Sequence, residues 1–432
     1  MSQIRFAQLQ HPVGQGGFHT GWLFESAFPI RIDPLQGTPS FVWAYDCGSD
    51  QLSILRREIK KIRGAPINVL FLSHLDDDHV VGVDKLLLAA SHVDEVVLPY
   101  LNDDEWALHL ASGASSGSLS GSFIDLVSDP AIWFGSRGVD RITYVESGDE
   151  DGEGPAAPDR IYPIDPDGRP EAVETDTGKR KPVKVGWTRS TKAEDSDGDG
   201  GDGGDGASSA RAEVQIAPAG SVASIHGADG IINWVLSPFA FRPPTSKLAS
   251  FKAMLISKFG SGLTAKAYAD AARTDAGRKD LRICYDAVWK THNLHSMALY
   301  AGPAVPALGK IPNTSWHGNF LRRVVQPGWV STGDFDMTVK KRRDRFIQFY
   351  AVYASMVGQL SLPHHGSDLS FHETILAAFP DLSFAIASVG ANGHGHPGLQ
   401  VQAAVEAAIG AGFVRVDESA SSSFEIQGTV SR

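Results

Sequence analysis

Two histidines and three aspartates stand within six residues in Phe71-Leu-Ser-His74-Leu-Asp76-Asp-Asp78-His79-Val-Val-Gly82. Imidazole and carboxylate at this density suit Zn²⁺, Mn²⁺ or Fe. The apolar run Ile67-Asn-Val-Leu-Phe-Leu72 just before them is predicted to be a buried strand. Val80 to Ala90 is predicted to be a helix with an apolar face. The ligand types therefore fall in a turn between a strand end and a helix start, where several side chains can converge. Aspartate is favoured at a helix N-terminus by the backbone dipole alone. A solvated acidic turn accounts for the aspartates, but not for the pattern His-x-Asp-x-Asp-His.

A catalytic metal centre needs ligands from other strand ends. Three candidates lie downstream, each closing a strand-like run. They are Asp334 in Trp329-Val-Ser-Thr-Gly-Asp334, the pair His364-His365 before Gly366-Ser367, and His396 before Pro397. Each is common alone. Their recurrence at strand ends carries the weight, because open α/β sheets bind ligands beyond strand termini.

The elements that must position these residues alternate. Strands are predicted at Ile4 to Leu9, His19 to Phe24, Phe41 to Tyr45 and Val93 to Leu98, with a helix at Ser53 to Arg63. Later strands are predicted at Glu213 to Ile216, Ile231 to Leu236, Ser296 to Tyr300, Gly328 to Ser331, Gln359 to Leu362, Phe384 to Ser388 and Phe413 to Val416. Helices are predicted at Arg342 to Ser355 and Leu399 to Ala411. This is an α/β pattern, read as one domain over residues 1–432. Residues 147–211 form an acidic, Gly/Asp-rich insertion whose core, Glu194 to Gly206, is predicted to be mobile. Asp195-x-Asp197-x-Asp199-Gly200 starts like a calcium loop but places Gly206 where a bidentate Glu is needed. Residues 246–289 read as a helical insertion.

The net charge of −11 and 42% hydrophobic content fit an ordinary, mildly acidic globular chain. They argue against a protein that coats nucleic acid, though not against a nuclease with a local basic groove. No signal peptide or membrane span is read from the sequence, and Cys47 and Cys284 form no disulfide framework. A reducing, cytoplasmic setting is expected. Cys47 is read as a small buried residue rather than a nucleophile.

His74-x-Asp76-x-Asp78-His79 resembles the metallo-β-lactamase-fold signature, with aspartate in place of its second histidine. That variant resembles the soluble nuclease-like domain of the competence protein ComEC and its stand-alone relatives. Val13-Gly14-Gln15-Gly16, Asp46-Cys-Gly48, Asn293-Leu-His-Ser296, Thr332-Gly-Asp334, His364-His-Gly-Ser367, Ser388-Val-Gly-Ala-Asn392, Gly395-His-Pro397 and Val414-Arg-Val-Asp-Glu418 follow in the family order. There are departures. Gly17 stands where the opening motif continues with Asp. The third-motif histidine has no clear equivalent, and His226 is expected to be a loop histidine. The stretches Ser147–Arg211, Ser246–Trp289 and Gly302–Gln326 lie outside the compact family domain.

The resemblance implies an αββα sandwich of two mixed β-sheets flanked by helices, with insertions. It implies two divalent ions, Zn²⁺ or Mn²⁺, about 3.5–4 Å apart. His74 and Asp76 are assigned to one ion, and Asp78, His79 and His365 to the other, with Asp334 bridging. Asp76 in place of an imidazole shifts preference toward Mn²⁺. The implied chemistry is hydrolysis by a metal-activated hydroxide, with Asp78 in the catalytic set. His396 is read as a ligand, a general acid or a turn-capping histidine. Asp46 is expected to orient the ligand loop, and His364 to stand behind the ligands. Lys341, Arg342 and Arg343 offer a phosphate-binding run or a solvated helix face. Ser367 offers a phosphate contact or a turn-stabilising hydroxyl.

The leading expectation is a metal-dependent phosphodiesterase or nuclease acting on nucleic acid. A hydrolase of a small ester or phosphoester (a lactone, phosphocholine or cyclic nucleotide) is the first alternative. The second is a metal-stabilised subunit of a larger complex, such as a bacterial defence system, with the insertions as docking surfaces for a protein partner.

Overall fold

The computed structural model describes residues 3–25, 38–148, 157–160, 183–193, 210–227, 230–289, 295–306, 313–316, 319–321, 325–391, 395–410 and 412–431. Strands β1 (Gln3–Gln10), β2 (His19–Phe24) and β3 (Phe41–Tyr45) open the chain, then helix α1 (Leu52–Lys61) and β4 (Pro66–Phe71). Short helices α2 (Asp77–Val80) and α3 (Val83–Ala89) lead to β5 (His92–Pro99). Helices α4 (Asp103–Ser116), α5 (Gly121–Ser128) and α6 (Pro130–Gly135) come before β6 (Val139–Val145). Strands β7 (Lys184–Trp187), β8 (Thr191–Lys192), β9 (Glu213–Ala217), β10 (Ala223–Gly227) and β11 (Gly230–Phe241) follow. Helices α7 (Thr245–Phe259), α8 (Ala265–Ala272) and α9 (Asp275–Asp286) occupy the stretch read as a helical insertion. The remainder runs β12 (Ser296–Gly302), β13 (Asn313–Trp316), β14 (Asn319–Leu321), β15 (Gly328–Ser331), α10 (Lys340–Tyr350), β16 (Val357–Ser361), α11 (Thr374–Ala377), β17 (Phe384–Ser388), α12 (Leu399–Ile409), β18 (Phe413–Val416) and β19 (Phe424–Ser431).

Two mixed sheets result. The first has the order β14-β13-β19-β1-β2-β3-β4-β5-β6-β9-β8, and the second β18-β17-β16-β15-β12-β11-β10-β7. Strands β3, β4, β5 and β6 are mutually parallel, as are β15, β16, β17 and β18. Their inner residues are apolar on both faces, as in Phe41–Tyr45, all of it buried. One apolar cluster, including Phe6, Trp43, Trp234 and Trp329, joins the two sheets. A second packs the helices of the first half and the helical stretch on the first sheet. A third packs α10, α11 and α12 on the second sheet. The arrangement is α/β and compatible with a helix–sheet–sheet–helix sandwich.

Three sequence expectations change. The helix expected over Val80 to Ala90 is broken at Gly82, whose N–H turns aside to the Cys47 carbonyl at 2.8 Å. Within the stretch read as a mobile acidic insertion, β7 joins β10 and β8 joins β9. Val185 and Trp187 pack on the core between the sheets, and Trp187 Nε1 donates to Glu95 at 2.8 Å. Average composition hid these few apolar residues, and the Asp/Gly core with its calcium-loop likeness lies outside the described residues. His226 sits in strand β10, with its Nε2 2.8 Å from Ser224 Oγ, rather than in a loop.

Among the described residues, no helix is long and apolar enough to cross a membrane. Cys47 and Cys284 are both free and buried. Burial and the neighbouring Asp46 push the Cys47 thiol well above its ordinary range, which suits packing and not nucleophilic attack.

A buried charge network anchors the opening loop beside α1. Glu58 is fully buried and meets His11 Nδ1 at 3.3 Å, Lys61 Nζ at 2.7 Å and Arg57 Nε at 2.7 Å. Burial holds His11 below its ordinary value, so it acts as a neutral imidazole, donating to Glu58 and accepting from Thr20 Oγ1 at 2.8 Å. Burial alone would raise Glu58, but the His11 hydrogen bond and the two cations outweigh it, bringing it down from 4.5 to about 2. A depressed carboxyl stabilises the fold above its unfolded value and loses that contribution as pH falls from 4.5 toward 2. Glu58→Gln is therefore expected to lower the thermal midpoint at pH 7 and to flatten its fall between pH 5 and 2, as followed by circular dichroism.

Candidate metal centre

The carboxyl ends of the parallel strands converge. Asp46 follows β3, the run Ser73 to His79 follows β4, Asp334 follows β15, the His364-His365 pair follows β16, and His396 lies beyond β17. Short bonds stitch the two sheets together there. Tyr45 Oη donates to the Met297 carbonyl at 2.6 Å, and Met297 N–H donates to the Ser73 carbonyl at 2.8 Å. Within the second sheet, the Asp334 N–H donates to Ser296 Oγ at 3.0 Å.

Two triads of ligand atoms form, each with its atoms within 4.8 Å of one another: His74, Asp78 and His79, and His79, Asp334 and His365. Asp76 stands in neither triad, but its Oδ2 is 3.8 Å from His74 Nε2. Asp334 Oδ2 is 3.7 Å from His74 Nε2, and its Oδ1 is 3.5 Å from His79 Nε2. His365 Nε2 is 3.2 Å from Asp78 Oδ2. Asp76 occupies the N-cap position of α2, yet its side chain makes no capping bond. The helix start alone does not account for it.

Asp46 fixes the imidazoles. Its Oδ1 accepts from Ser73 N–H at 2.7 Å, and its Oδ2 accepts from Ser73 Oγ–H at 2.7 Å and His79 Nδ1–H at 2.8 Å. With its own proton given to Asp46, Ser73 Oγ accepts from His74 Nδ1–H at 2.8 Å. Both histidines thus carry the proton on Nδ1 and turn Nε2 toward the cluster. Both Nε2 atoms are buried and have no hydrogen-bond partner. Gly17 leaves no room for a side chain: a Cβ there would meet Asp46 Oδ2 and His79 Nδ1, each at 2.9 Å.

Backbone strain marks the same place. Among the described residues, the non-glycine positions with positive φ are Asp46, His364 and His365, at 56°, 48° and 57°. Such conformations cost on the order of 1–3 kcal/mol each and persist where surrounding structure imposes them. All three belong to this cluster.

The electrostatics are those of carboxylates crowded around imidazoles. Burial opposes charge on His79, but Asp78, Asp46 and Asp334 together outweigh it and raise the imidazole to about 10. His74 is held down to about 4 by burial and by His79. Burial and the carboxylates of Asp78 and Asp334 push Asp76 well above its usual range. Asp78 is held low despite burial by His79 and His365, and Asp334 by His364, His79 and His74. Converging carboxylates and orphaned imidazole nitrogens fit divalent metal.

Other predicted residues fall differently. His364 does not stand behind the ligands. Its Nδ1 meets Ser370 Oγ at 3.2 Å, while its Nε2 is 3.9 Å from Asp334 Oδ2 and its side chain lines the cavity. His396 also lines that cavity, its ring 5.0 Å from that of His364. Ser367 is buried, and its Oγ accepts from Leu369 N–H at 3.2 Å, so it stabilises the turn and is not placed to meet a phosphate. Arg343 is likewise removed from phosphate binding. It is buried, and its Nη1 donates to the Met337 carbonyl at 2.8 Å. Lys341 and Arg342 lie in the first turn of α10 and do not line the cavity.

That cavity has a volume of about 510 Å³ and opens over Asp76, Asp78 and Asp334. Sequence reasoning missed its far wall, which α4 supplies through His109, Ser112, Gly113 and Ser116. A signal was present in retrospect: polar and small residues at i, i+3, i+4 and i+7 on a helix whose middle, Trp106 to Ala114, is otherwise apolar. Gln15 and Asp50 line the cavity too.

Two outcomes are expected. Elemental analysis of the purified protein should find two divalent ions per chain, falling below one in His79→Ala and Asp334→Asn while far-UV circular dichroism stays native. A metal-free wild type, after growth with Zn²⁺ and Mn²⁺, would count against the site. Arg343→Ala should lower stability in urea by about 1–3 kcal/mol, because it strands a buried carbonyl, while Lys341→Ala should change it little. No protein-family model matches this chain, and no curated protein matches it at a significant level.

Proposed function

We propose that this chain is a metal-dependent hydrolase of the metallo-β-lactamase superfamily, ComEC-like in its ligand set, which cleaves phosphodiesters. The observation that carries the proposal is the convergence of His74, Asp76, Asp78, His79, Asp334 and His365 at the carboxyl ends of parallel strands from two sheets. The family-like order of the motifs supports the superfamily reading.

These six residues would hold two divalent ions, Zn²⁺ or Mn²⁺, with His364 close enough to join them. Bound there, the ions would supply Lewis acidity for water activation and for charge developing on a phosphoryl oxygen. The protein's own part is positional. Asp46 and Ser73 keep the Nε2 lone pairs of His79 and His74 aimed at the centre. The α4 wall and the β-strand ends bound the cavity. His396, at the cavity edge, is suited to give a proton to the leaving oxygen.

The cavity lining favours a small phosphoester over nucleic acid. It includes Asp50, Asp76, Asp77, Asp78 and Asp334, and no lysine or arginine among the described residues. A polyanionic backbone gains affinity from flanking cations, and Arg343 is not available to provide one. The nuclease reading retains only Lys341 and Arg342 outside the cavity.

The test is a substrate panel with Mn²⁺, Zn²⁺ or Mg²⁺: bis(4-nitrophenyl) phosphate, cyclic nucleotides, and single- and double-stranded DNA and RNA. Small diesters should be cleaved faster than polymers. Asp46→Asn should cost about 10–100-fold in kcat/KM, and Asp78→Asn more. Failure to cleave any phosphoester under every metal would overturn the hydrolase reading.

A further inference from the structure

The cavity over the ligand cluster holds about 510 Å³, within the ~300–1,000 Å³ usual for small-molecule sites. A phosphate group alone leaves most of that space unfilled. Besides carboxylates and histidines, the cavity is lined by Leu75, Leu119 and Phe123. Leu75 stands between His74 and Asp76 in the turn after β4, so apolar surface begins beside the cluster. Leu119 belongs to the connection from α4 to α5, and Phe123 to the first turn of α5. Both are half-buried. They pack on the apolar residues that cover the first sheet and keep apolar surface for the cavity they line.

This wall is fixed in place. Gly117 ends α4 at a φ of 78°, and the N–H groups of Ser118 and Leu119 both donate to the Gly113 carbonyl, at 3.0 and 3.2 Å. Gly113 also makes room for Leu119, since a Cβ on it would stand 3.3 Å from Leu119 Cδ1. Ser118 hydrogen-bonds Asp77, which ties the connection to the ligand turn. Ser120 Oγ caps α5 by accepting from the Phe123 N–H at 3.1 Å. Side chains held in this way lose little freedom when a ligand meets them.

A phosphodiester carries two organic arms. With its phosphate at the cluster, one arm fills the remainder of the cavity. Asp50 and Asp77 line that space and, among the described residues, no lysine or arginine does, so an anionic arm is repelled. Phe123 offers a ring, which is best met by a second ring in offset or edge-to-face contact.

We propose that Leu119 and Phe123 determine specificity by binding one uncharged aryl arm of a phosphodiester whose phosphate lies at the ligand cluster. The inference rests on the phosphodiester reading above and names the class of ester that the site takes.

Titration calorimetry on the full chain saturated with Mn²⁺ tests it with benzyl(ethyl)phosphinate and diethylphosphinate. These monoanions match methyl phenyl phosphate and dimethyl phosphate with CH₂ in place of each ester oxygen, so they are not hydrolysed. Wild type should bind the benzyl compound roughly tenfold more tightly than diethylphosphinate, from burial of one ring. The ratio should fall below about threefold in Phe123→Ala, fall by about half in Leu119→Ala, and be largely kept in Phe123→Tyr. The Leu119 variant serves if Phe123→Ala does not fold. Equal binding of the two phosphinates by wild type, binding of neither, or a ratio unchanged in the alanine variants that fold would overturn the assignment. So would tighter binding of the analogue in which 2-(trimethylammonio)ethyl replaces benzyl, since the carboxylates would then be selecting a cationic arm. Hydrolysis in the diester panel is a separate measurement. Preference for the benzyl arm without turnover keeps this assignment and loses the hydrolase reading. Turnover without the preference does the reverse.

Discussion

The whole site depends on the carboxylate of Asp46. It sits at the end of β3 with a left-handed backbone and accepts three hydrogen bonds, two from Ser73 and one from His79. Through Ser73 it also orients His74. One buried anion thereby sets the protonated nitrogen of two imidazoles and ties β3 to the turn after β4. The strained backbone at Asp46 is tolerated because these bonds and the packing around Gly17 leave the chain no alternative path.

Charge is the second constraint. Asp46 and Asp334 are buried, Asp76 and Asp78 are half-buried beside them, and this crowding of carboxylates raises both the His79 imidazole and the Asp76 carboxyl. Such a region is stable only with compensation, because unpaired buried charge is costly. The proposed metals would provide it. The same excess of carboxylate disfavours a long polyanion in the cavity, so the electrostatics that fit the ions also narrow the substrate.

The helical stretch of residues 246–289 adds another layer. Its α8 and α9 pack on α4, and Tyr285 hydrogen-bonds Ser112 behind the cavity wall. These helices therefore support the wall that carries His109. The added elements thus back the cavity wall, whereas the ligand cluster itself is built by strand ends.

Much of this was legible in the chain. The ligand types after β4, Asp334 after β15 and the histidine pair after β16 are local features, and strand-like apolar runs precede each of them. Alternating apolar runs also disclosed an α/β fold, because burial of both faces of a parallel strand writes itself into consecutive residues. Other features are not local. Arg343 reads as one of a basic run, yet its guanidinium closes on the Met337 carbonyl inside the fold. β7 is hidden in an acidic stretch and is defined by β10. His109 becomes a cavity residue only because α4 is laid across the loop of Asp76 and Asp78. The sequence by itself determined which donors exist and which strand ends present them. Tertiary structure alone decided which nitrogen each imidazole presents, which charges are buried and what lies opposite the cluster, because those depend on contacts between residues far apart along the chain.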